Sequence, residues 1–155
     1  MHLRKLMVLP VVIALQLAST AGYLLADEPG TATDRRPSPP GASVAIVNVG
    51  DGAVVPTTFL VQFSVTGMGI APAGTDTPNT GHHHLLIDVD ELPDPELPLP
   101  KNEQFIHFGG GQTETELTLP EGRHTLQLVF ADYRHIPHDP VVQSAPVTIT
   151  VSSSN

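Results

Sequence analysis

The sequence predicts an all-β chain, an antiparallel sandwich of immunoglobulin-like type with about seven strands. Three observations point there. From Ser43 onward apolar residues alternate with polar ones at a period of two. No segment carries a helical apolar stripe, and the alternating runs are short and separated by Gly, Pro and Asp clusters. A small closed barrel is the competing architecture.

Ser43 to Val49 is the first strand, closed by the turn residues Gly50-Asp51-Gly52. Thr58 to Thr66 alternates cleanly, with Phe59, Val61, Phe63 and Val65 on one face and Gln62, Ser64 and Thr66 on the other, so one side is buried and one is wet. A loop from Gly67 to Gly81 leads to a third strand, His83 to Val89. Glu91 to Pro100 holds Pro93, Pro95, Pro98 and Pro100, cannot sit inside a sheet, and is expected to run as an extended loop. Gln104 to Phe108 is a short fourth strand. Thr113 to Leu119 alternates again, Pro120-Glu121-Gly122 turns, and Arg123 to Ala131 places His124, Leu126, Leu128 and Phe130 on one face. A last strand, about Val142 to Val151, carries Val147, Ile149 and Val151 inward.

Upstream of the sandwich, expected over residues 42–152, the chain changes character. Arg4 and Lys5 precede the apolar run Leu6 to Leu17, and Ser19-Thr20-Ala21 offers a small-residue cleavage site. This pattern predicts a signal peptide over residues 1–26, cleaved after Ala21 or Ala26, and hence a periplasmic or secreted protein. An uncleaved anchor is the alternative; the membrane would then be touched only through this segment, although Gln16, Ser19 and Thr20 interrupt a run that needs about twenty apolar residues to span. Residues 27–41, with Pro29, Pro37, Pro39 and Pro40, read as a linker.

Composition narrows the chemistry. The chain has no cysteine, so disulfides, thiolate zinc sites and a blue-copper centre are excluded. Of seven Lys and Arg, Arg4 and Lys5 lie in the leader, which leaves five basic residues against 16 Asp and Glu. Nucleic acid is not an expected partner, because its phosphates would be repelled. Cations are favoured instead.

Seven of the eight histidines fall between His82 and His138, as His82-His83-His84, His107, His124 and the pair His135-Ile-Pro-His138. If each turn reverses direction, the connections after the second, fourth and sixth strands share one end of the sandwich. Those connections hold His82 to His84, His107, and His135 with His138, whereas His124 starts a strand at the opposite end. Alternation puts His83 in phase with Leu85, Ile87 and Val89, towards the core, and His82 and His84 on the other face. Residues i and i+2 of a strand lie about 7 Å apart and can share a ligand. The pair His135 and His138 is not helical, because Pro137 and Pro140 forbid a helix. The metal-ligand candidates are therefore His82, His84, His107, His135 and His138, with Asp132 or Asp139 nearby, a nitrogen and oxygen set suited to zinc or copper(II).

A structural reading stands beside this one. His83 and His124 are expected to hydrogen-bond to backbone at the margin of the core, and the other five could form a hydrogen-bonded network that locks the loops. Gly109-Gly110-Gly111-Gln112-Thr113 lacks the lysine and helix of a phosphate loop and is read as a tight turn. Asp94 and Glu96 read as solvated acids, and Met68 alone does not make a thioether copper site.

The segments His82-His83-His84-Leu85-Leu86-Ile87-Asp88, Ile106-His107-Phe108-Gly109 with Gly111-Gln112-Thr113-Glu114, Gly122-Arg123-His124-Thr125-Leu126-Gln127-Leu128, and His135-Ile136-Pro137-His138-Asp139-Pro140 together resemble the bacterial exported domains grouped as domain of unknown function 4399. The resemblance runs from about Gly81 to Val151 and implies an exported domain without an assigned activity. The stretch Gly122 to Ala131 is also similar to the penultimate strand of many bacterial immunoglobulin-like domains.

Two functions follow as expectations. The first is an exported module that binds copper(II) or zinc at the histidine end. The second is a non-catalytic envelope module that grips glycan or protein, with Leu86 and Val129 pointing outward unless the proline loop covers them. An enzyme is the least supported class: there is no nucleophile elbow, no His-Glu-x-x-His helix and no evident carboxylate dyad.

Overall fold

A computed structural model describes residues 34–153. The expected signal peptide and residues 27–33 of the expected linker lie outside the described residues. The described chain contains ten strands and, among the described residues, no helix. They are β1 (Ser43–Ile46), β2 (Ala53–Val55), β3 (Thr58–Thr66), β4 (Gly69–Ile70), β5 (Thr80–Ile87), β6 (Phe105–His107), β7 (Glu114–Thr118), β8 (Gly122–Ala131), β9 (Pro137–Gln143) and β10 (Val147–Val151).

Two sheets form the sandwich. The smaller has the order β1-β3-β7, all antiparallel. The larger runs β2-β10-β8-β5-β4, with β6 added to β5 and β9 added to β8. The alternation in β3 is realised: Phe59, Val61 and Phe63 are buried and face Leu85, Leu126, Leu128, Phe130 and Ile149 of the larger sheet.

Ten strands replace the expected seven for identifiable reasons. Strands β2 and β4 are too short for alternation to register, and both pair in parallel, with β10 and β5 respectively. The single strand expected from Val142 to Val151 is divided. Pro146 has no N–H to give a ladder, and Ser144 ends β9 instead: its Oγ accepts from the Leu128 N–H at 2.9 Å while its own N–H donates to the Leu128 carbonyl at 2.9 Å. Strand β9 therefore serves the Val129–Ala131 half of one β8 edge and β10 the Gly122–Leu126 half. Pro137 and Pro140 are tolerated in β9 because, among the described residues, its other edge meets a single bridge, at Pro37.

Strand β5 is enclosed on both faces. His83, Leu85 and Ile87 point into the sandwich, as the phase of the sequence requires. Leu86 points outward and joins Val129 and Ala131 of β8, but Leu99 of the proline-rich segment and Phe105 of β6 fold over them, making a second, smaller core. The Leu86 and Val129 side chains expected on the surface are thus 1% and 0% exposed. A surface patch for a glycan or protein partner cannot use them.

The expected linker ends earlier than its composition suggests. Residues 34–41 are strapped to β9: the Ser38 N–H donates to the Asp139 carbonyl and the Asp139 N–H to the Arg36 carbonyl, both at 2.8 Å. Arg35 donates to the Pro137 carbonyl at 3.0 Å and forms ion pairs with Asp139 and Glu96.

Leu128 is fully buried at the centre of the main core. Leu128→Ala is expected to lower unfolding stability by about 2–5 kcal/mol, measured as a fall in the urea midpoint without a change in slope; an unchanged midpoint would contradict the packing described.

Candidate metal centre

The outer face of β5 carries His82 and His84, two residues apart and therefore on one side of the strand. Register supplies the third ring. Strand β6 pairs His107 directly with His84, and His107 Nε2 lies 3.2 Å from His82 Nε2. His84 Nε2 lies 3.1 Å from the same His82 atom. The His107 ring rests on Gly109, where any β-carbon would occupy its place. Gly109 is thus required for space rather than for a backbone angle; among the three glycines of that turn, only Gly111 has a positive φ.

His135 arrives from the turn between β8 and β9, and Asp132 builds that turn. The Asp132 Oδ1 accepts from the N–H groups of Arg134 at 2.8 Å and Ile136 at 3.0 Å. Its backbone N–H donates to the Ile136 carbonyl, and its carbonyl accepts from the His135 N–H, both at 2.9 Å. His135 itself sits at φ 71°, in the left-handed region. This conformation aims its ring at the cluster, with Nε2 3.1 Å from His107 Nε2. The carbonyl of His135 also accepts from the Leu99 N–H at 2.9 Å, which ties the proline loop to the same turn.

Four imidazoles from β5, β6 and the β8–β9 turn consequently meet, with all six ring-centroid separations between 4.6 and 5.9 Å. His82, His107 and His135 each offer a ligand atom, and these atoms lie within 4.8 Å of one another. The Nε2 atoms form a chain of three short contacts in the order His84, His82, His107, His135. Each such nitrogen has one in-plane position, holding either a proton or a lone pair. Protons can therefore serve only two of the three contacts with linear hydrogen bonds. A cation can accept a lone pair from His82, His107 and His135 at once. Tetrahedral zinc, with bonds of roughly 2.0–2.1 Å, holds its nitrogens about 3.3 Å apart, close to the His82–His107 and His107–His135 contacts within the mutually close set of three.

The cluster rejects protons. Burial lowers the His82 pKa to about 4, and the neighbouring His107 and His135 add to the effect while the Asp132 carboxylate opposes it. His84 falls to about 2, again chiefly through burial and then through His82 and His107. His107 is lowered by burial, by repulsion between its protonated form and the neighbouring His135 ring, and by the Lys101 ammonium. At neutral pH these rings are uncharged and their lone pairs are available. The Nδ1 atoms of His82 and His84 are buried without partners. With the lone pairs committed at Nε2, those atoms carry unpaired N–H groups costing on the order of 1–3 kcal/mol each, which bonding at Nε2 has to offset.

His138, grouped with the other ligand candidates by sequence, stands apart. Its ring stacks on Phe130, its Nδ1 lies 3.2 Å from the Phe130 carbonyl, and it lines a separate small cavity with Asn79 and Tyr133. Asp139 is also apart, exposed and paired with Arg35. Asp132 is near, but its oxygens are committed to the turn and to Arg134. His124 meets the Asp88 carboxylate at 2.7 Å and the Pro120 carbonyl at 3.0 Å, a structural role that includes the backbone contact expected. His83 faces the core between Phe63 and Phe130, but the backbone hydrogen bond expected for it is not formed. The backbone of Ser64 and Gln112 is near enough to favour its protonated form slightly, yet outside hydrogen-bonding geometry, and burial dominates to lower its pKa. Gly109, the turn-building role of Asp132 and the covering residues Leu99 to Lys101 escaped sequence reasoning. A histidine two residues before a glycine run was the one available hint of the first.

The depressed pKa values set the sign of an acid effect. His82 and His84 bind protons in the unfolded chain below about pH 6.5 but in the folded chain only near 4 and 2. Stability is therefore fully present above pH 6.5 and lost as pH falls from there towards 4. The metal-free protein is expected to lose on the order of 2 kcal/mol per pH unit between pH 6 and 5, measured by urea denaturation; equal stability at pH 7 and pH 5 would contradict the buried, neutral cluster.

No curated protein and no solved structure matches the chain. A family model does, that of a domain of unknown function (DUF4399), over residues 61–152. That span covers β4 to β10 and part of β3, with all four converging histidines and more than half of the 155 residues. The chain belongs to the domain of unknown function 4399 family.

Proposed function

We propose that this domain is an exported transition-metal-binding module, with His82, His107 and His135 as ligands to copper(II) or zinc and His84 packed beside them. The observation that carries the reading is the chain of Nε2 contacts at 3.1, 3.2 and 3.1 Å, which protons cannot fully satisfy and which a cation shared by His82, His107 and His135 relieves. The donor set agrees: imidazole suits zinc and copper(II), and no thiolate competes. The rings are held by the strand pairing of His84 with His107 and by the Asp132 turn, so little ordering remains to be done on binding. The basic and apolar leader supports export to the periplasm or beyond the cell.

Calorimetric titration of the protein, purified without a polyhistidine tag, tests this directly. Copper(II) or zinc is expected to bind at one ion per chain. The His107→Ala, His135→Ala double variant is expected to lose at least roughly tenfold in affinity, while His138→Ala binds as the parent does. Equal heats from parent and double variant would refute the site and leave the histidines as a packed hydrogen-bonding network in a non-catalytic envelope module. Gly109→Ala offers a probe that removes no ligand: by displacing the His107 ring it should weaken metal binding with folding intact by circular dichroism.

A further inference from the structure

The four rings do not enclose their centre equally. His82 is 0% exposed and lies at the back, against β8. The half-buried His107 and His135, together with His84 (1% exposed), line a cleft of about 280 Å³ whose remaining walls are Leu99, Pro100 and Lys101. A metal held by the three nitrogens of His82, His107 and His135 would therefore keep a coordination position turned towards the cleft, as metal sites that accept an external ligand do.

The charge at the cleft mouth says which ligand suits that position. The domain is strongly acidic, and most of its few cations are neutralised: Arg35 pairs with Glu96 and Asp139, Arg36 with Asp76, and Arg134 with Asp34 and Asp132. Among the described residues Lys101 and Arg123 make no ion pair, and Lys101 is the one on the histidine cleft; Arg123 borders a different depression, with Asp51 and Thr148. Lys101 is close enough for its charge to oppose protonation of His107. An unpaired ammonium beside a divalent cation favours an anion, and the apolar wall of Leu99 and Pro100 favours one with a short hydrocarbon end.

We infer that the cleft is a site for a small carboxylate, which binds the metal through one oxygen in the open position and meets the Lys101 ammonium with its negative charge. This rests on the metal-binding reading above and adds the class of the external ligand. The Lys101 ammonium, a mobile point charge on a long stem, positions the anion without touching the metal.

Copper(II)-loaded full-length protein, its metal content first fixed by calorimetry, is titrated with azide and followed by the azide-to-copper charge-transfer band and by electron paramagnetic resonance. Azide is expected to bind and acetate to displace it. Lys101→Gln is expected to weaken acetate binding ~fivefold without lowering copper affinity, and Lys101→Arg to retain the parent behaviour. A copper spectrum indifferent to both anions shows a closed coordination sphere and overturns the inference, as does equal acetate affinity in parent and Lys101→Gln. Failure of the protein to take up copper or zinc is seen before any anion is added, and overturns the metal reading itself together with this one.

Discussion

Two-sided burial of β5 is the constraint on which the rest of the structure depends. One face of this strand closes the sandwich through His83, Leu85 and Ile87, and the other is covered by the proline-rich segment over Leu86. A strand in the middle of a sheet has its backbone groups paired on both edges, here by β8 on one side and by β6 and β4 on the other. Side chains at i and i+2 can then be placed under cover without exposing or orphaning backbone. His82 and His84 occupy two such covered positions. Polar rings there need partners, and the partners supplied are other imidazoles.

That arrangement is electrostatically self-consistent only when the rings are neutral. Each buried imidazole raises the cost of charging the next, so burial and mutual repulsion act in the same direction on His82, His84 and His107. Neutral rings crowded at Nε2 have lone pairs with too few protons between them. The same features that make the cluster a poor proton acceptor make it a good electron-pair donor to a divalent ion, whose charge is concentrated where several lone pairs converge.

Three covering devices hold this face, and they are linked. The proline loop packs Leu99, beside Phe105 of β6, on the outer face of β5 and donates from Leu99 to the His135 carbonyl. The His135 turn is built by Asp132 and braced by Arg134, which reaches Asp34 of the amino-terminal strap. That strap, through Arg35 and Ser38, holds the β9 backbone that follows His135. Residues 34–41 thus behave as part of the domain, although their proline content resembles that of a spacer. Composition reports how a segment would behave alone; hydrogen bonds to β9 decide how it behaves here.

Much was determined by sequence alone. The period of two dictated strands, and within β3 it dictated which side chains enter the core. The phase of His82-His83-His84 assigned His83 inward and the flanking pair outward, because pleating leaves no other choice. Clustering of histidines in a cysteine-free chain defined the chemistry on offer. Tertiary structure decided the rest. Whether His107 faces His84 is a matter of register between strands far apart in sequence, and whether His135 or His138 joins them depends on a left-handed residue in a turn organised by a buried carboxylate. His138, with the same residue type and nearly the same position, was carried by β9 to the other side of that turn, against Phe130. Local pattern dictates the face a side chain takes; only the pairing of distant segments dictates what it meets there.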